Sequence, residues 1–189
     1  RQTNLEDLQK IARDEEIHES RLIELIDEEG LNYMSSVVLG LNDALVEFTG
    51  ALAGYTFALQ HAKLVALTGA ITGIAAALSM AASEYLSTRT ENDVHKNALK
   101  AAVYTGIAYV ITVVVLILPF VLLSNVYWGL GVCLFGALVI IAIFNYYYSI
   151  VKTESFRHRF TEMAIISIGI AAISFLIGYA LRVFTGIEL

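Results

Sequence analysis

Five apolar runs, at residues 33–59, 64–86, 98–123, 126–150 and 161–184, leave this chain few ways to fold. At ~1.5 Å of rise per residue, each is long enough as a helix to cross the ~30 Å hydrocarbon core of a bilayer. Lipid offers no partner to a peptide group, so runs of this kind satisfy their backbones internally, as helices. The reading is an all-α polytopic membrane protein, with five transmembrane helices over residues 31–189 and a cytoplasmic amphipathic helix over residues 1–30. Apolar residues make up 57% of the 189, too many for an ordinary soluble domain, and the 16% that are charged collect in the first 30 residues and in short loops. Cys133 is the single cysteine, which excludes an intrachain disulfide and a cysteine-rich metal site. The charged N-terminal segment has no apolar stretch of its own, so no secretory leader is expected. Neither a nucleic-acid partner nor an organic cofactor is expected.

Orientation follows from the basic residues. Ten of the twelve Lys and Arg fall on one side: Arg1, Lys10, Arg13 and Arg21 before the first run, Arg89, Lys96 and Lys100 around the second connection, and Lys152, Arg157 and Arg159 around the fourth. Only Lys63 and Arg182 fall on the other. The excess of positive charge places the N-terminus in the cytoplasm and the C-terminus outside. Tyr127 and Trp128 at one end of the fourth run, and Tyr146, Tyr147 and Tyr148 at the other, read as aromatic belts at the two interfaces. Pro119 is expected to bend or end the third helix.

The first run is unusual in carrying two carboxylates, Asp43 and Glu47, well inside it. Each costs at least ~2.5 kcal/mol near mid-bilayer, so intramembrane acids face a bundle interior or an aqueous cavity and mark ion or proton paths. Four residues apart, they share a helical face, and the same spacing continues to Gly50 and Gly54. The second run offers a matching stripe of Gly69, Gly73, Ala76, Met80 and Glu84. Two antiparallel helices joined near Lys63 would set glycine against glycine in their outer halves. From the cytoplasm outward their inner halves would present Glu84, Met80, Asp43 and Glu47, a ladder of ligands. Carboxylates alone suit Ca²⁺, Mg²⁺ or protons; a thioether is a soft ligand and shifts the expectation to Fe²⁺ or Mn²⁺.

Two segments of these runs resemble a known family. Val38-Leu39-Gly40-Leu41-Asn42-Asp43-Ala44-Leu45-Val46 is similar to the first-helix signature of the vacuolar iron transporter family, and Ser79-Met80-Ala81-Ala82-Ser83-Glu84-Tyr85-Leu86-Ser87 to its second-helix signature. The resemblance implies a homodimer in the lipid bilayer that exports Fe²⁺ from the cytosol in exchange for protons. Asp43 and Met80 match pathway residues, and Glu84 matches an acid of the bacterial-type motif. Ala44 and Ser83 stand where the family usually has glycine, Thr72 stands where some eukaryotic members carry an acid, and Glu47 is an additional carboxylate. The connection at residues 88–97 is too short to hold the family's cytoplasmic metal-binding helices.

In the N-terminal segment, Leu8, Ile11, Glu15, His18, Leu22 and Leu25 recur at helical spacing. Glu15 and His18 form the E-x-x-H pair found in di-iron bundles, and Ala12-Arg13-Asp14-Glu15-Glu16-Ile17-His18 resembles the last helix of a rubrerythrin-like, ferritin-like domain, a domain fused to iron transporters in some proteins. One such helix cannot complete a di-iron site, so its remaining ligands are expected from a preceding segment or another subunit. The functional expectation is a proton-coupled exporter of Fe²⁺, with Mn²⁺ as a second substrate, using Asp43, Glu47, Met80, Glu84, Glu15 and His18 as metal ligands. The alternative is a membrane-anchored ferroxidase, for which burying Asp43 and Glu47 has no purpose.

Overall fold

The computed structural model describes residues 33–90, 97–152 and 155–186. The amphipathic helix expected over residues 1–30, with Glu15 and His18, lies outside the described residues, as does Lys96. The chain divides into two compact units, Arg1–Ser35 and Ser36–Leu189, and the contacts below belong to the second. The first span comprises α1 (Met34–Asp43), a π-helical turn (Ala44–Phe48) and α2 (Thr49–Leu59). The others are α3 (Ala62–Thr90), α4 (Ala98–Leu122), α5 (Val126–Lys152) and α6 (Phe156–Thr185). Among the described residues, five helical segments are thus long and apolar enough to cross a membrane, as the apolar runs require.

Local chemistry fixes the ends of these helices. Gln60 adopts a left-handed conformation, φ 50°, and its N–H returns to the Thr56 carbonyl at 3.1 Å, so the chain reverses into α3 within a few residues. Asn97 caps α4 by accepting from the Leu99 and Lys100 amides at 3.0 and 3.2 Å. Asn125 does the same for α5, accepting from Tyr127 and Trp128 at 3.0 and 3.2 Å. Pro119 lies in the last turn of α4, which ends at Leu122 with the Leu123 amide on the Pro119 carbonyl. Tyr127, Trp128, Tyr146 and Tyr147 are exposed at opposite ends of α5, as membrane-interface residues should be. Tyr148 is half-buried instead, with the Arg159 guanidinium 4.0 Å from its ring centre.

The core is built from the first span inward. Leu45, Phe48 and Leu52 are fully buried and pack among Val65 and Ala66 of α3, Val113, Leu116 and Phe120 of α4, and Cys133, Ala137 and Ile141 of α5. Small residues let the helices close on one another. A Cβ on Gly73 would lie 2.5 Å from Val113, and one on Gly69 would lie 2.8 Å from Leu52. These glycines of α3 receive side chains of the first span and α4, which corrects the glycine-to-glycine opposition expected between the first two spans. Gly50 and Gly54 turn instead to α6, where Gly50 meets Ile170 and Ser174, Gly54 meets the Ser174 backbone, and a Cβ on Gly178 would strike the Gly54 carbonyl.

The π-helical turn is the reason for the difference. A π-turn holds one residue more than an α-turn. Everything beyond Phe48 is therefore rotated by about 100° from where an unbroken helix would put it. The face of Asp43 and Glu47 consequently passes to Tyr55, whose hydroxyl meets Thr72 Oγ1 of α3 at 3.1 Å, and the glycines swing to α6.

Where two backbones touch, no side chain can yield. Gly178→Ala is expected to destabilise the protein by about 1–3 kcal/mol, while Gly136→Ala, with no neighbour within 4 Å, should be neutral or slightly stabilising. Thermal unfolding in detergent checks both; equal melting temperatures for the two variants would contradict the packing described.

Candidate metal pathway

The π-turn begins immediately after Asp43 and contains Glu47. Its geometry interrupts the regular backbone ladder, and a carbonyl released inside a membrane must find a donor. Ser167 of α6 provides one, its hydroxyl donating to the Leu45 carbonyl at 2.7 Å with both groups buried. The turn that carries the acids is thus anchored from the fifth span. Asp43 is half-buried and Glu47 exposed, and the two carboxyl groups lie within hydrogen-bonding reach of each other. Glu47 falls near the middle of a 26-residue span, where an uncovered carboxylate would meet hydrocarbon.

The other two ladder residues sit on α3. Gly69, Gly73 and Ala77 form its buried face, while Thr72, Ala76, Met80 and Glu84 form an adjoining half-buried one. Met80 and Glu84 therefore do not continue the glycine face but lie beside it. Glu84 Oε1 accepts from the Ser36 hydroxyl at 2.6 Å, and the Ser36 carbonyl in turn accepts from Thr105 Oγ1 of α4 at 2.9 Å. This bond fixes the register of the first two spans. One turn along from it, Gly40 and Met80 reach a common height, and Asp43 and Glu47 follow on the first span. The axial order Glu84, Met80, Asp43, Glu47 agrees with the ladder read from spacing. Among the described residues no three of His, Cys, Asp and Glu converge as a ready metal cage.

Residues 34–100 match the model of the VIT family. The matched stretch is about a third of the chain. Among curated proteins, none matches the chain. The VIT region covers the first two spans and the start of α4, and it contains Asp43, Glu47, Met80 and Glu84 together. Together with the five long apolar helices, this match supports a multi-pass integral membrane protein.

Several polar residues around these acids escape a reading by acidic spacing alone. Ser36 holds Glu84, Ser167 holds the π-turn, and Tyr55 meets Thr72. On α4, Thr105, Tyr109 and Thr112 recur at intervals of four and three, a buried polar stripe in an otherwise apolar helix. That periodicity was available in the sequence as a signal. Among the described residues, buried oxygens without a partner are Asn42 Oδ1, Thr49 Oγ1, the Tyr109 hydroxyl and Asn145 Oδ1.

The Ser167 bond has a measurable weight. Ser167→Ala is expected to lower stability by about 1 kcal/mol, the scale of one buried hydrogen bond whose acceptor is left behind. A melting curve in detergent that matches wild type would show that the Leu45 carbonyl finds another donor.

Proposed function

We propose that the protein exports Fe²⁺, with Mn²⁺ as a second substrate, from the cytoplasm in exchange for protons, and that it does so as a homodimer. The observation that carries the reading is the Asp43–Glu47 pair, two carboxyl groups in reach of each other at mid-membrane, one of them on an uncovered face. A carboxylate that takes a divalent cation must give up any proton it holds, so such a pair exchanges one for the other. Met80, one turn beyond Glu84 on the same half-buried face, brings a thioether that favours a first-row transition metal over Ca²⁺ or Mg²⁺. Glu84, nearest the end rich in Lys and Arg, meets the ion first. The distribution of basic residues makes that end cytoplasmic, so metal moves outward while protons move in.

The homodimer follows from the cost of leaving Glu47 in lipid. A second copy laid against the first span would cover both Glu47 side chains and turn two half-open faces into one enclosed route. Glu15 and His18, outside the described residues, are proposed to gather metal only together with ligands from elsewhere, and to be dispensable for passage through the membrane.

Reconstituted protein with an imposed pH gradient tests the reading. Asp43→Ala should abolish Fe²⁺ uptake into proteoliposomes. Met80→Leu, which keeps apolar volume and loses sulfur, should reduce Fe²⁺ flux with little change in melting temperature. Wild-type flux from both variants would remove these residues from the pathway. Cysteine labelling should find positions 96 and 157 accessible from the cytoplasmic side, and labelling from the opposite side would reverse the topology.

A further inference from the structure

The polar stripe on α4 contains one group that its surroundings do not satisfy. Thr105, Tyr109 and Thr112 are all buried, at 0%, 0% and 3% exposure. The two threonines bond to carbonyls, Thr105 to Ser36 at 2.9 Å and Thr112 to its own helix at Ala108, 2.8 Å away. Tyr109 cannot copy the second arrangement, because a phenol is rigid and carries its oxygen far from its own backbone. Its hydroxyl is buried and has no partner. A polar group in that condition forfeits about 1–3 kcal/mol, and the membrane interior supplies no bulk water to relieve it. The cheap sequence alternative, phenylalanine, fills the same volume without that loss. The hydroxyl there is a donor free to be used in another state of the protein.

Its neighbours indicate which. The first span contributes Ala44, Leu45 and Phe48 to the buried cluster that holds Tyr109, and none of these three has a side-chain acceptor. Thr105 lies against Ser36 and Gly40 of the first span, so Tyr109, one turn further along α4, comes level with Asp43 and Ala44, where the π-turn begins. In the structure the Asp43 and Glu47 carboxyl groups are turned to each other. Paired in this way they leave Tyr109 idle.

We propose that Tyr109 is the positioning residue of the Asp43–Glu47 pair, donating its O–H to a carboxylate oxygen when a divalent cation draws the two acids apart. The proposal rests on the transport reading above and deepens it. A carboxylate bound to a cation through one oxygen turns its other oxygen into the protein, and Tyr109 is the donor available to receive it there. The phenol keeps its proton and does not touch the metal. It orients the carboxylate, spends the inward lone pair, and leaves the outward ones for the ion, as donors behind metal ligands do elsewhere. The hydroxyl that is unsatisfied in the closed pair becomes satisfied in the loaded one, so the metal-bound state is favoured relative to the empty state.

The test compares wild type, Tyr109→Phe and Asp43→Ala, each as the full chain in proteoliposomes, for Fe²⁺ and Mn²⁺ uptake against concentration, together with melting in detergent. Tyr109→Phe is expected to raise KM for both metals about tenfold or more, the usual loss for such donors, with a melting temperature equal to or above wild type. A purely structural role predicts the opposite pattern, a lower melting temperature with unchanged KM, and that result overturns the proposal. So does a KM within twofold of wild type while Asp43→Ala is inactive, which leaves the transport reading standing. Wild-type uptake by Asp43→Ala would remove the transport reading and this inference together.

Discussion

A carboxylate at mid-membrane is tolerable only where something other than hydrocarbon receives it, and most of this protein's architecture can be traced to that constraint. Asp43 and Glu47 receive each other. The half-buried face of α3 carries Thr72, Ala76, Met80 and Glu84, and meets the first span through Tyr55–Thr72 and Ser36–Glu84. Glu84 is answered by Ser36, and Ser36 by Thr105, so three spans are tied together around one acid near the end rich in Lys and Arg. Leu45, Phe48 and Leu52 of the same span belong to the apolar core, which also holds Val113, Phe120 and Tyr109.

The π-turn makes this arrangement workable. An unbroken helix would carry the acid face straight into Gly50 and Gly54, leaving the small residues opposite α3 and the fifth span without a close partner. Holding one extra residue between Asp43 and Thr49 gives each half of the span its own neighbour. The half before the π-turn addresses α3 and α4 through Ser36, and the half after it addresses α6 through its glycines. The irregular backbone is stabilised at its weak point by Ser167, a serine that on hydropathy alone is merely a small polar residue in an apolar helix.

Much of this was legible in the sequence. The number, order and approximate ends of the spans followed from apolar run length, because lipid permits a long apolar segment almost nothing but a helix. The axial order of Glu84, Met80, Asp43 and Glu47 was legible too, since rise per residue is nearly invariant. What periodicity could not supply was rotation. Helical spacing assumes 3.6 residues per turn throughout, and one π-turn invalidates it for every residue downstream, which is why Gly50 and Gly54 were expected against α3 and lie against α6. Tyr109 was missed for a different reason. Aromatic residues are common in membrane helices, and only its burial and its unanswered hydroxyl distinguish it from Tyr104 on the same helix, which is exposed.

The contact of Gly54 with Gly178 sets two main chains against each other with nothing between them that can bend or change rotamer. Side-chain interfaces deform by degrees; a backbone interface of this kind does not. The half of the first span beyond the π-turn is therefore locked to the fifth span at a point with no slack, while the half before it is not bound in that way.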